Sequence, residues 1–322
     1  MESATKNRQK FEDIVKMVQN AFGSGIAPEE IRINELTEGY FNVAYQIELP
    51  GQEAILKIAP AAPARIMTYE KNIMQAEVDA LRMVKKQTPV PVPKVLYYDN
   101  SKSACNADYF FMEKLDGESF YKLKCNGMPE EEQKQILTET GRLNKQINEI
   151  TGGSFGYIGR PEKQGPDWKD TFLAMISEVL DDGERIEISL GIDYGRLRSL
   201  IESFSPALGE VKQPSLVHWD IWDGNVFVKD RKVEGIIDFE RALWGDPLME
   251  YYFRRHSCNE CFNRGYGANL RQEAPVRALL YDIYLYLIMV IETKYRSYPD
   301  DGQYRFAAGK LSAAAMELEN ML

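Results

Sequence analysis

LVHWDIWDGN, Leu216 to Asn225, packs two aspartates, a histidine, an asparagine and two tryptophans into ten positions. Shortly after it, VEGIIDFE (Val233 to Glu240) sets Asp238 at the end of an apolar, strand-like run. A loop leading into a strand pair can converge the oxygen-bearing side chains of Asp220, Asn225 and Asp238. Phosphoryl transfer needs that convergence, because magnesium prefers carboxylate, amide and phosphate oxygens and the attacking hydroxyl must be held in line with the phosphorus. In that reading Asp220 orients or deprotonates the hydroxyl, while Asn225 and Asp238 hold the metal. The competing reading makes Asp220 and Asp223 turn caps and has Asn225 and Asp238 bonding backbone.

The choice depends on whether a lysine and a phosphate-covering loop lie elsewhere in the chain. Lys57 stands in QEAILKIAP, an otherwise apolar β segment, and Glu77 follows in MQAEVDALRM, a helical segment. A strand lysine can reach triphosphate oxygens when a helix carboxylate fixes it; Glu77 is the favoured partner and Glu70 the weaker one. The ordinary alternative is an edge-strand lysine reaching water. Ahead of it, LTEGYFNVAYQI offers Gly39 for a close backbone turn and Asn42 to bond across it, in the place of an ATP-covering loop. This is neither GxGxxG nor GxxxxGK[ST], and a plain hairpin uses the same residues.

The surrounding sequence supports a two-part chain. IRINELTEGYFNVAYQIELP returning as QEAILKIAP signals a strand pair, Thr68 to Lys86 has helical periodicity, and PVPVPKVLYYD and DYFFMEKL predict two further strands. Asp116-Gly117 is a turn and a lobe boundary, dividing residues 1–115 from 116–322. Beyond Pro129 the pattern is mainly helical, with EEEQKQILTETGRLNKQI, DWKDTFLAMISEVLDD and YDIYLYLIMVIETKY the clearest pieces.

Composition narrows the function. The 322 residues can bury a substantial core, and 39 Lys and Arg against 49 Asp and Glu give a net charge of -10. That balance disfavours a nonspecific grip on nucleic acid and would attract a cationic small molecule. The cysteines at 105, 125, 258 and 261 follow no initial apolar signal segment, so reduced thiols in the cytoplasm are expected. Leu279 to Ile291 is interrupted by Asp282 and is too short to span a bilayer, so it reads as a core helix and no membrane anchor is expected.

EGYFNVAY, ILK, AEVDAL, YFFMEKLDGE, HWDIWDGN and IIDFE, in this order from Glu38 to Glu240, together resemble the phosphotransferase superfamily that contains aminoglycoside, choline and fructosamine kinases. The resemblance implies an α+β, two-lobed, protein-kinase-like fold with a mixed α/β N-terminal nucleotide-binding lobe and a mainly helical C-terminal lobe. It implies ATP and Mg2+ as cofactors, with Asp220 the catalytic aspartate supported by His218. Asn225 and Asp238 would be the metal residues, Lys57 the phosphate contact, and Glu77 its partner. Met112, Glu113, Lys114 and Leu115 would form the connection that receives adenine through backbone groups; their ordinary alternative is a strand and hinge. The family's usual glycine between histidine and aspartate is replaced by Trp219.

The acceptor implied is a small-molecule hydroxyl, with an aminoglycoside first and fructosamine, choline or another small metabolite as alternatives. WDGN is closer to fructosamine kinases, whereas DFE departs from their proline-containing metal segment. HRD, DFG and APE spellings are lacking, which disfavours a protein kinase. A noncatalytic nucleotide-binding protein is the other class to beat. Three further features have bland readings: HSCNEC (His256 to Cys261) as an incomplete metal motif, Trp219, Trp222 and Trp244 as core rather than stacking residues, and Asp181, Asp182 and Glu184 as a solvated loop rather than a selector for a cationic acceptor.

Overall fold

The computed structural model describes residues 5–37, 41–61 and 64–322, so Gly39 lies outside the described residues. Helix α1 (Phe11–Phe22) precedes a strand series: β1 (Arg32–Leu36), β2 (Val43–Leu49) and β3 (Gln52–Ile58). Helix α2 (Ile73–Gln87) follows, then β4 (Val95–Asp99) and β5 (Tyr109–Glu113). These strands form one antiparallel sheet in the order β1-β2-β3-β5-β4. The first β-rich run is therefore two antiparallel strands, β1 and β2, as the hairpin reading of LTEGYFNVAYQI has it. The predicted helix at Thr68 begins later, at Ile73, because Asn72 adopts a left-handed conformation (φ 58°) after a short 3-10 turn.

Alternation along the strands sends their side chains to two different cores. Ala54, Leu56, Ile58, Tyr109 and Phe111 pack with Ile14, Val15, Met17 and Val18 of α1. Phe110 and Met112 point the other way, joining Met74, Val78 and Leu81 of α2 in a cluster that continues through the rest of the chain. Lys57 is on this second face. It pairs with Ala44 on one side and Phe110 on the other, so its strand is central and the edge-strand alternative does not apply.

After β5 the chain turns at Asp116-Gly117. Gly117 has φ +81°, and a Cβ there would sit 2.2 Å from the Val228 carbonyl oxygen, so the crossing requires glycine. The mainly helical part follows: β6 (Glu118–Ser119), α3 (Phe120–Cys125), α4 (Glu130–Asn148), β7 (Gly156–Tyr157), α5 (Trp168–Arg185) and α6 (Tyr194–Phe204). Next come β8 (Ser215–Val217), the hairpin β9 (Val226–Lys229) and β10 (Lys232–Ile236), and β11 (Leu243–Gly245). Helices α7 (Glu260–Tyr266), α8 (Leu270–Glu273), α9 (Pro275–Tyr295) and α10 (Gly302–Glu319) complete it.

Helix α9 is apolar on nearly all sides and buried, as expected for a core helix. Of its two buried acids, Asp282 takes a hydrogen bond from Arg271 at 2.8 Å and Glu292 pairs with Arg296 at 3.1 Å. No helix among the described residues is long and apolar enough to cross a membrane. Asp181, Asp182 and Glu184 belong to α5 rather than to a loop. The field they would offer a cation is already answered: Arg198 binds Asp181 at 2.6 Å and Glu184 at 2.9 Å, and buried Asp182 takes Thr68 and Arg185.

Candidate active site

Between β8 and β9, the loop of LVHWDIWDGN is held by one carboxylate far away in sequence. Glu250 is fully buried and accepts from the backbone N–H of His218 at 2.9 Å and of Trp219 at 3.0 Å, and from the side chains of Asn144 and Asn148 on α4, both at 2.8 Å. Four donors on one carboxylate offset its burial and fix the loop against α4. The His218 ring spans the site. Its Nδ1 accepts from the Asp220 N–H at 3.2 Å, so Nε2 carries the proton and donates to the Ile237 carbonyl at 2.9 Å. The two segments are tied again where Asn225 O accepts from Ile237 N at 3.0 Å. Asp220 and Asp238 are thus suspended from one cross-linked frame.

Trp219 and Asp238 both have φ 71°, in the left-handed region that non-glycine residues avoid. Where the resembling family places glycine, Trp219 bears this strain and buries its indole. The ring stacks on Tyr284 with centroids 5.6 Å apart and meets Tyr69 and Tyr157. Of the three tryptophans, Trp219 is core. Trp222, half-buried, lies against Tyr121 and folds over Gly224, where a Cβ would come within 2.2 Å of its ring.

On the facing sheet, Lys57 Nζ donates to the two Glu77 oxygens at 2.7 and 2.6 Å and to Asp238 Oδ1 at 2.7 Å. Glu70 is not its partner; it pairs with Arg296 at 2.7 Å. Burial acts to lower the Lys57 pKa, but Asp238, Glu77 and Glu240 outweigh it and hold the ammonium above its ordinary value. Glu77 is pushed upward by burial, against the pull of Lys57. Asp238 is held below the usual carboxylate range: burial opposes this, and the Lys57 charge and hydrogen bond overcome it.

Glu240 is a third carboxylate that the sequence reading did not assign. Burial, then the neighbouring Asp238 charge, pushes its pKa upward. Oxygens of Glu77, Asp238 and Glu240 all lie within 4.8 Å of one another, the group among the described residues able to hold a metal ion. This oxygen set fits magnesium, and a divalent cation would relieve the crowding of like charges. Asn42 donates to Glu240 at 2.7 Å, while its own buried Oδ1 has no partner among the described residues. Asn225 donates Nδ2 to the Asp220 carbonyl at 2.9 Å, and its Oδ1 has no protein donor among the described residues. Asn225 therefore combines the backbone role with a free oxygen.

Met112 and Glu113 end β5 inside the sheet, and Glu113 also accepts from Lys94 N at 2.9 Å. Lys114 pairs with Glu53 at 2.6 Å, and Leu115 fills the space left by Gly235. No backbone hydrogen bond engages Lys114 or Leu115 among the described residues. HSCNEC brings no metal set together: His256 Nδ1 is 3.1 Å from the Tyr286 hydroxyl, and Cys258 lies 3.8 Å from Asn263. Asp223 is not a turn cap, since Lys124 binds it at 2.6 Å and Tyr252 donates to it as well. Glu250, Arg241 and Arg254, all close to the loop, carried no local signal that sequence reading could use.

The profile of the phosphotransferase enzyme family matches residues 32–269. Among solved structures, a protein from Haemophilus somnus described as a fructosamine-3-kinase is 18% identical, with a TM-score of 0.68 over 94% of this chain and 96% of its own. A thermostable mutant of aminoglycoside phosphotransferase APH(4)-Ia, in ternary complex with ADP and hygromycin B, is 16% identical, with a TM-score of 0.66 over 94% of this chain and 98% of its own. Among curated sequences, the probable acyl-CoA dehydrogenase IBR3 of Arabidopsis thaliana is 22% identical over 240 residues, covering 72% of this chain but only 28% of that protein.

Proposed function

The chain belongs to the phosphotransferase enzyme family and has a two-lobed, protein-kinase-like α+β fold, and from that premise we propose that it transfers the γ-phosphoryl group of ATP to a hydroxyl of a small molecule. The observation that carries this reading is Lys57, held between Glu77 of α2 and Asp238 of the loop frame. One cation in that place links the sheet to the segment tied to Asp220.

In this reading Lys57 binds triphosphate oxygens, and Lys114 and Leu115 offer their free backbone groups to adenine, at the ends of a connection that begins at Met112 and Glu113. Asp238 and Asn225, with Glu240 beside them, hold Mg2+, which when bound neutralises phosphate charge. Asn42, and Gly39 outside the described residues, belong to the loop over the phosphates. Asp220 orients the acceptor hydroxyl and takes its proton; the hydroxyl oxygen forms its bond to the γ-phosphorus as the bond to the ADP oxygen breaks. His218 holds Asp220 through its backbone N–H and positions rather than reacts.

The test is purified protein with γ-labelled ATP and a broad acceptor panel that holds an aminoglycoside, the acceptor that the resemblance puts first, with a fructosamine, choline, and small hydroxy acids and sugar phosphates. Label should pass to a hydroxyl in wild type. Asp238→Asn should lose magnesium-dependent nucleotide binding, and Asp220→Asn should keep it. Nucleotide binding without transfer to any acceptor would instead make the chain a noncatalytic binding protein.

A further inference from the structure

Arg254 is 7% exposed, and the one hydrogen bond of its guanidinium among the described residues goes to the Trp219 carbonyl oxygen. No carboxylate among the described residues lies within ion-pair distance of it, although its guanidinium is held in a fixed place, 5.5 Å from the Trp219 ring and 5.3 Å from the Tyr251 ring. A buried guanidinium without a counter-charge is costly, and an uncompensated charge is retained where a ligand supplies the partner. Burial accordingly pulls its pKa below the ordinary arginine value. The carboxylates that act on it from nearby are Asp220 and Glu250. Glu250 is consumed by its four N–H donors, and Asp220 is needed for the acceptor hydroxyl.

Arg241 adds a second, partly answered cation. Its guanidinium carbon is 5.6 Å from the Trp219 ring, and it too feels Asp220. Its ion pair is a long one, 3.4 Å to Glu292, and Glu292 is shared with Arg296 at 3.1 Å. Three acids that could draw an ammonium group are already engaged: Asp223 by Lys124 and Tyr252, and Asp181 and Glu184 of α5 by Arg198. Around Asp220 the unanswered charge is positive.

Resting on the phosphoryl transfer proposed above, we propose that the acceptor is an anionic small molecule, whose carboxylate or phosphate ester is bound by Arg254 with help from Arg241 while its hydroxyl meets Asp220. Arginine suits this role because its planar fork matches both oxyanions. The acidic balance of the whole chain does not decide the matter, since recognition follows the charges nearest the reacting group.

The experiment separates a deproteinised cell extract by charge into anion-exchanger-retained, cation-exchanger-retained and unretained fractions, and offers each to the wild-type protein with γ-labelled ATP. Label incorporated in the anion-retained fraction supports the proposal; incorporation confined to the cationic or neutral fractions overturns it. If no fraction accepts label although ATP binds, the hydroxyl-kinase reading itself fails. Treating the active fraction with a phosphatase or with a carboxylate-methylating reagent before the assay then distinguishes a phosphate ester from a carboxylate acceptor. In Arg254→Gln the half-saturating amount of the active fraction should rise roughly 30-fold with maximal rate little changed, and Arg254→Lys should recover part of the loss. A fall in maximal rate with unchanged half-saturation would assign Arg254 to support of the loop alone and sink the proposal. The fractionation uses wild-type protein, so it decides even if Arg254 variants do not fold.

Discussion

The two sides of the site handle charge in opposite ways. On the sheet side, Lys57 is surrounded by Glu77, Asp238 and Glu240, so one cation serves three carboxylates and the group is closed by short bonds within the protein. On the loop side, Asp220 stands near Arg241 and Arg254, and those arginines rest on aromatic rings with little carboxylate contact. The difference teaches where ligand charge is to be expected: excess acid fits a metal ion with phosphates behind it, whereas weakly answered cations beside the acceptor aspartate fit an anion. Each side can be broken separately.

The largest effect is expected at Asp220. Asp220→Asn keeps the size and the backbone bond to His218 but removes the proton acceptor, so turnover should fall by roughly 10²–10⁴-fold. Thermal unfolding and nucleotide affinity should stay near wild type. Full turnover in a folded variant, with chemistry rate-limiting, would remove Asp220 from the reaction.

Lys57→Met attacks the closed side. It strands Glu77 and Asp238 without their cation, and breaking a buried pair from one partner costs about 3–5 kcal/mol. Denaturant unfolding should show that loss, together with weakened ATP binding. The double variant Lys57→Met, Glu77→Leu should be less destabilised than the sum of its single changes, since the two partners are in contact. Simple additivity would mean that the 2.6 Å pair contributes little.

Trp219→Gly tests the join between the two sides. Glycine relieves the left-handed strain at φ 71°, but the buried ring that touches Tyr284, Arg241 and Arg254 is lost. The lost packing exceeds the relief, and a net destabilisation of roughly 2 kcal/mol is expected. If the glycine variant were more stable than wild type, the tryptophan would have to be retained for the acceptor rather than for the fold.

What the sequence disclosed follows from how local each signal is. Lys57, Glu77, Asp220 and Asp238 stand in segments whose periodicity or loop chemistry is readable over ten residues, and the fold brings Lys57, Glu77 and Asp238 into direct contact. A break in the first β run was legible because Gly39 and Asn42 are turn formers, whereas the later start of α2 was missed because Asn72 looks like any polar helix residue until its φ is known. Glu250, Arg241 and Arg254 were beyond reach for another reason. Their roles depend on a left-handed backbone at Trp219 and on chain segments 30 or more residues apart, as in the 32-residue separation between His218 and Glu250.

The smallest effect is the one that separates local from global charge. Arg198 neutralises Asp181 and Glu184 on the exposed surface of α5, through contacts of 2.6 and 2.9 Å. Exposed pairs of this kind contribute only about 0–1 kcal/mol, so Arg198→Ala should barely move the unfolding midpoint. It does free two carboxylates and makes the chain more acidic by one charge. If overall acidity recruited the acceptor, a cationic aminoglycoside should then bind or react more readily in Arg198→Ala than in wild type, most of all at low salt. If the arginines beside Asp220 decide recognition, acceptor preference should be unchanged at every ionic strength while Arg254→Gln alters it. A salt-dependent gain in aminoglycoside turnover by Arg198→Ala would move acceptor selection from the loop to the surface of α5, and the contrast between the two sides of the site would then describe nucleotide binding alone.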